Sequence, residues 1–231
     1  MKICAISDLH GDLINVDPCD LVIICGDVVP LNVQSGMHKS KRWLRNKFLP
    51  WANNLPCDKA IFIAGNHDWI AEKEAGFMLD TFPKSEKVTY LFHEPYEYKG
   101  VKFFGTPYCS QFYNWAFMES DSDLEKRYEA IPKELDILIT HDAPYGVSDI
   151  LLQSGYTREH IGCKPLADAI LAKEPKYVLH GHLHSTSHEF ELLGSSKVVN
   201  CSIKDEQYQI VYDPIYFELD EETNKETSGN I

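Results

Sequence analysis

Five short apolar runs in this chain share one habit: each stops at a residue that can bind a cation. Leu21-Val22-Ile23-Ile24-Cys25 is unbroken and rich in β-branched side chains, the pattern of a strand buried on both faces. It closes on Gly26-Asp27, where the glycine permits a sharp turn at the sheet edge. Asp27 is thereby presented at the carboxyl end of a central strand, where open α/β sheets bind their ligands. Ile3–Ile6 runs into Ser7-Asp8-Leu9-His10-Gly11-Asp12, and Lys59–Ala64 into Gly65-Asn66-His67-Asp68. Ile137–Ile139 leads to Thr140-His141-Asp142, and Tyr177–Leu179 to His180-Gly181-His182-Leu183-His184.

Between these runs the period changes. Trp43, Leu44, Phe48 and Trp51 fall at helical spacing within Met37–Asn53, with Pro50 disturbing the last turn. Helices are also predicted over Ile70–Leu79, over Asp121–Ala130 behind an Asp or Ser cap, and over Pro165–Lys173. Val88–Leu91 and Val101–Gly105 read as strands with a hairpin at Tyr96–Gly100. Glu189–Leu193, Lys197–Val199 and Ile210–Leu219 read as shorter, alternating strands. Helices and strands alternate early and strands dominate late, which suits one domain, residues 1–219, of two packed sheets with helices outside. Residues 220–231 form a polar, acidic tail that is expected to fray.

The 231 residues suffice for one large domain, and 44% hydrophobic with 25% charged residues is ordinary for a globular protein. The net charge of −13 is not. It repels polyanions, so nucleic acid is a disfavoured partner. No apolar stretch has membrane-spanning length and no charged leader precedes an apolar segment, so a cytoplasmic location is expected. Seven cysteines without a C-x-x-C pair read as reduced structural thiols.

Six of the ten histidines sit in or beside the five strand-end motifs. Taken singly, each motif has a plain reading: a turn, an Asx motif, surface histidines, a hydrogen-bonded histidine at a sheet edge. Together, each after a buried strand, they form a set of carboxylate, amide and imidazole donors that divalent first-row metals prefer. The set is too large for one metal with an open position and about right for two sharing a carboxylate. No G-x-S-x-G, C-x5-R or P-loop offers a rival chemistry.

The series D-x-H, G-D, G-N-H-D, H, G-H-x-H resembles the signature of the calcineurin-like metallophosphoesterases. Gly105-Thr106-Pro107, Asn114-Trp115-Ala116-Phe117, Thr140 to Gly146, Ile161-Gly162-Cys163 and Val199-Asn200-Cys201-Ser202 extend the resemblance to nearly the whole chain. They are similar to the branch of class III cyclic-nucleotide phosphodiesterases and metallophosphoesterase-domain proteins. Purple acid phosphatases carry a tyrosine ligand where this chain has Pro30, which argues against that branch. The resemblance implies a four-layer αββα sandwich of two mixed β-sheets flanked by helices. It also implies a centre of two divalent ions, manganese first, with iron, zinc, nickel or cobalt as alternatives. Asp8, His10, Asp27 and His184 would hold one ion, and Asp27, Asn66, His141 and His182 the other. His67 would face the substrate, protonating the leaving oxygen or stabilising the transition state, and Asp68 would orient its ring.

The implied reaction is hydrolysis of a small phosphodiester or phosphomonoester by a metal-bridging hydroxide. A protein phosphatase or nuclease on the same site is the alternative within this chemistry. A non-catalytic protein-binding scaffold is the alternative outside it, disfavoured because every active-site residue is present. His180 is expected to pack behind the site, and His38, His93, His160 and His188 to lie at the surface. Tyr108, Tyr113, Trp115 and Tyr145 are candidates for pocket walls.

Overall fold

The computed structural model describes residues 1–151 and 159–219; the tail expected over 220–231 lies outside them. In chain order the first strands are β1 (Lys2–Ile6), β2 (Leu21–Ile24), β3 (Lys59–Phe62), β4 (Val88–Tyr90), β5 (Glu94–Tyr98) and β6 (Val101–Thr106). There follow the short β7 (Cys109–Ser110) and β8 (Met118–Glu119), then β9 (Ile137–Thr140) and β10 (Tyr177–His180). The last are β11 (Glu191–Leu193), β12 (Ser196–Asn200) and β13 (Ile215–Glu218). One sheet has the order β13-β1-β2-β3-β4, parallel except for β13. The other has the order β11-β12-β10-β9-β6-β5, with antiparallel strands at both edges.

The unbroken apolar runs are explained by burial on both faces. Ile3, Ala5, Ile23 and Ile61 of the first sheet share an apolar layer with Phe103, Ile137, Leu179 and Val199 of the second. Their alternate neighbours Cys4, Val22, Ile24 and Phe62 face outward and meet Leu44, Phe48, Ile70 and Met78 from helical segments. On the far side, Leu138 and Val178 bury against Leu124, Tyr128, Leu166 and Ile170. The order is helices, sheet, sheet, helices: the four-layer sandwich.

The helical segments differ from expectation in detail. Met37–Asn53 is divided into α1 (Met37–Trp43), a π turn over Leu44–Phe48, and α2 (Leu49–Asn54). Pro50 falls in the first turn of α2, where no N–H is required, so it starts a segment instead of ending one. Ile70–Leu79 divides into α3 (Trp69–Lys73) and α4 (Ala75–Thr81) at Glu74, whose carboxylate pairs with Lys41 of α1 at 2.9 Å. Further along are α5 (Asp121–Tyr128) and α6 (Lys164–Lys173); at the start of α6, Cys163 Sγ accepts from Leu166 N–H. Of Ile210–Leu219 only Ile215–Glu218 pairs as a strand. Pro214 has no N–H to give a ladder, and Ile210 makes a single bridge to Lys204. All seven cysteines are free thiols.

The two sheets approach closely at Gly105, where a Cβ would stand 2.8 Å from both Ile63 Cγ2 and Leu91 Cβ. Gly105→Ala should therefore destabilise the fold by about 1–3 kcal/mol through overpacking. Urea unfolding checks this: a change within about 0.5 kcal/mol would show that the layer has room to spare.

Candidate metal centre

The strand ends converge because their backbones bond to one another. Asp8 N–H donates to Gly26 O at 3.1 Å, His10 N–H to Asp27 O at 2.8 Å, and Gly11 N–H to Val28 O at 3.1 Å. Across to the second sheet, Ser7 forms a parallel bridge with Ser202. This zipping forces left-handed backbone at Asp8 (φ 57°), His10 (φ 42°), Asp27 (φ 52°) and His182 (φ 69°). Asp and His tolerate that region better than most side chains, yet each such residue costs of order 1 kcal/mol. Two motif glycines answer to contact: a Cβ at Gly65 would collide with the Asp27 carboxylate and the His141 ring, and one at Gly181 with Ser7 and Asp8.

Asp8, Asp27, Asn66 and His141 are all but fully buried, His10 and His184 nearly so. Asp27 Oδ2 stands 3.6 Å from His10 Nε2 and 3.5 Å from His141 Nε2, while Asp8 Oδ1 stands 3.4 Å from His184 Nε2. Asn66 Oδ1 lies 2.9 Å from His141 Nε2. Among the described residues, ligand atoms fall within 4.8 Å of one another in three groups: Asp8-His10-His184, Asp8-Asp27-His141 and His10-Asp27-His67. His182 joins through its ring, 5.2 Å from that of His141, and its N–H donates to both Asp8 oxygens.

The imidazoles are aimed from behind. Nδ1 of His141 bonds to Cys25 O at 2.8 Å and Nδ1 of His184 to Asp205 O at 2.9 Å, so each turns its Nε2 toward the carboxylates. Neither ring nitrogen of His10 has a hydrogen-bond partner among the described residues, although both are buried. Orphaned imidazole nitrogens between two carboxylates fit a divalent cation. Burial pushes His10 and His182 down to about 4, against the pull of the carboxylates, so both are neutral donors at pH 7. For His141 burial acts the same way, but the charge and hydrogen bond of Asp27 win and raise it to about 10. His184 is raised to about 9 by Asp8 over the same opposition. Burial also opposes ionisation of Asp8 and Asp27, yet His184 on the one and His141 and His67 on the other hold both carboxyls well below their ordinary range.

The family model for calcineurin-like phosphoesterase matches residues 1–186. The chain belongs to this family. It is a phosphoric ester hydrolase with a metal-binding site. Metallophosphoesterase domain-containing protein 1 of Homo sapiens is 28% identical over 244 residues, covering 94% of this chain and 71% of its own. Among solved structures, TT1561 of Thermus thermophilus superposes with a TM-score of 0.54 at 16% identity over 86% of this chain and 88% of that one. Phosphopantetheinyl Hydrolase (PptH) from Mycobacterium tuberculosis gives 0.54 at 15% over 87% and 89%. These two likenesses concern the fold.

In this phosphoesterase Asp68 does not orient His67. Its carboxylate accepts N–H bonds from Val28 (3.1 Å), Val29 (2.9 Å) and Gly65 (2.9 Å), tying the loop after β2 to the loop after β3. Burial and the nearby Asp27 charge raise it to about 7 despite those bonds. His67 Nδ1 instead meets Gln34 Oε1 at 2.7 Å. Trp115 packs on the His67 ring with centroids 4.4 Å apart, and Tyr208 sets its ring edge-on to His10 at 4.9 Å and His184 at 5.2 Å. The other expected walls disperse: Tyr108 is buried under Arg127, Tyr113 is 88% exposed, and Tyr145 packs against His160 and Lys164. Phe112 reaches His182 at 5.3 Å. Sequence reasoning missed Gln34 and Tyr208, which lie in turns outside any ligand motif. His180 is packed, as expected; His38 and His160 are exposed. His93 and His188 are half-buried, bonded to Thr106 and stacked on Tyr212 respectively.

An imidazole ligates a cation only in its neutral form, so the raised affinity of His141 and His184 for protons opposes metal binding. Calorimetric titration of metal into chelator-treated protein at pH 7, in buffers of different ionisation enthalpy, should report release of about two protons. Release of none would mean that both imidazoles are already neutral beside Asp27 and Asp8.

Proposed function

We propose that this phosphoesterase hydrolyses small phosphodiesters or phosphomonoesters at a centre of two divalent ions. The observation that supports this most is the position of Asp27, whose Oδ2 faces His10 on one side and His141 on the other. Asp8, His10, Asp27 and His184 would hold one ion, and Asp27, Asn66, His141 and His182 the other, with Asp27 shared. Mixed nitrogen and oxygen donors suit manganese, the first choice, and equally iron, zinc, nickel or cobalt. Bound ions supply charge for phosphate oxygens and lower the pKa of water.

The protein's own residues supply the rest. Backbone carbonyls hold His141 and His184 in one orientation, and burial of both carboxylates keeps bulk water from screening them. The side chain of His67 is 12% exposed and its Nε2 stands 4.0 Å from Asp27 Oδ2. There it can donate a proton to the leaving oxygen. Trp115, Phe112 and Tyr208 offer aromatic surface around the centre, which suits an ester carrying a base-like or aromatic group. Charge of −13 disfavours nucleic acid, and free thiols suit the cytoplasm. Among the described residues no helix is long and apolar enough to cross a membrane.

His67→Ala should keep the metals and lose on the order of 10²–10⁴ in rate on poor leaving groups, with a smaller loss for p-nitrophenolate, which needs little protonation. An equal loss across leaving groups would remove the acid role; loss of metal would make His67 a ligand.

The substrate class is tested by kcat/KM for a cyclic nucleotide, a phosphopeptide and plasmid DNA at fixed manganese and salt. The small diester should win. A roughly tenfold advantage for either macromolecule would overturn the reading.

A further inference from the structure

The ring of His67 takes its orientation from outside the strand-end motifs. One face lies on Trp115, with 34° between the planes, and its edge meets His10 at 4.9 Å and 89°. Such contacts fix a ring plane, but they accept equally well a half-turn about Cβ–Cγ that exchanges nitrogens for carbons. A hydrogen bond at Nδ1 does not. That bond is to Gln34, at 2.7 Å.

Gln34 is itself held in place. Pro30 O accepts the N–H groups of Val33 and Gln34, both at 3.0 Å. Val33 O in turn accepts from Gly36 N–H at 2.9 Å and from the buried Ser40 hydroxyl at 2.9 Å. Asp68, through Val28 and Val29, clamps the backbone just before this turn to the loop that carries His67. The two partners of the Gln34–His67 contact are thus fixed relative to one another by main-chain bonds at both ends.

We propose that Gln34 is a positioning residue for the reaction: its amide oxygen accepts the Nδ1 proton of His67 and keeps Nε2 turned toward the metal centre. This rests on the acid role assigned to His67. An amide suits the position because it accepts a proton bond without adding another negative charge beside Asp27 and Asp68. The bond also serves both states of the imidazole, since Nδ1 carries its proton whether or not Nε2 does.

Long-range nitrogen–proton NMR of histidine-labelled protein, without substrate, reads the tautomer directly. In the wild type, neutral His67 should carry its proton on Nδ1; in Gln34→Leu that preference should be lost. The same variant should lower kcat by roughly 10- to 100-fold with KM little changed, and more for poor leaving groups than for p-nitrophenolate. Gln34→Glu, which retains an acceptor, should recover most of the loss. A wild-type proton on Nε2 would mean that the amide donates, and overturns the proposal. So does a Gln34→Leu variant in which either the tautomer or kcat is unchanged. If Gln34→Leu does not fold, the wild-type tautomer and the Gln34→Glu rate still decide. Failure of the acid role shows separately, as a His67→Ala loss that ignores the leaving group while the tautomer result stands.

Discussion

A carboxylate with almost no solvent contact holds the two sheets of this protein in register. Asp27 takes the N–H of His67 at 2.8 Å from one strand-end loop and faces the His141 ring, which comes from the other sheet. Burying an ion without a partner costs several kcal/mol, so the arrangement stands only while positive charge is present beside it. Asp27 draws His141, and Asp8 draws His184, toward the protonated form that would supply such charge. A bound cation would take over the same neutralising task and displace those protons.

The close approach of the sheet ends sets everything around that task. Backbone bonds from Asp8, His10 and Gly11 to the segment after β2 pull the donors together at the expense of left-handed conformations. The surrounding strands, apolar on both faces, hold that geometry against relaxation. Asp68 belongs to this scaffolding: its three N–H bonds set the spacing between loops, and its influence on His67 runs through the backbone.

Much of the fold, and the set of polar side chains gathered at its strand ends, was legible in the sequence because a strand buried on both faces writes an unbroken apolar run, and each run stops at such a side chain. Leu21–Asp27 is the clearest case. What could not be read is what tertiary geometry brings in from turns. Gln34 follows Pro30 in a stretch without periodicity, and Tyr208 reaches His10 and His184 from a turn well past the last histidine motif. Adjacency along the chain misled once, pairing His67 with Asp68 when the main chain of Val28, Val29 and Gly65 had the stronger claim on that carboxylate. The π turn at Leu44–Phe48 leaves no mark on a helical hydrophobic pattern, since the apolar face continues through it.

The antiparallel pairing of β13 on β1 brings Met1 and Leu219 together, with Leu219 N–H on Met1 O and the amino group of Met1 on Leu219 O, both 2.9 Å. Both lie at the amino-terminal rim of β1, while Asp8 lies past its other end, about 17 Å away at the rise of an extended strand. That main-chain pair lies at the opposite end of β1 from the chemistry. Bulk added at that rim of β1 would therefore meet the sandwich at the end away from the strand ends that carry Asp8 and Asp27.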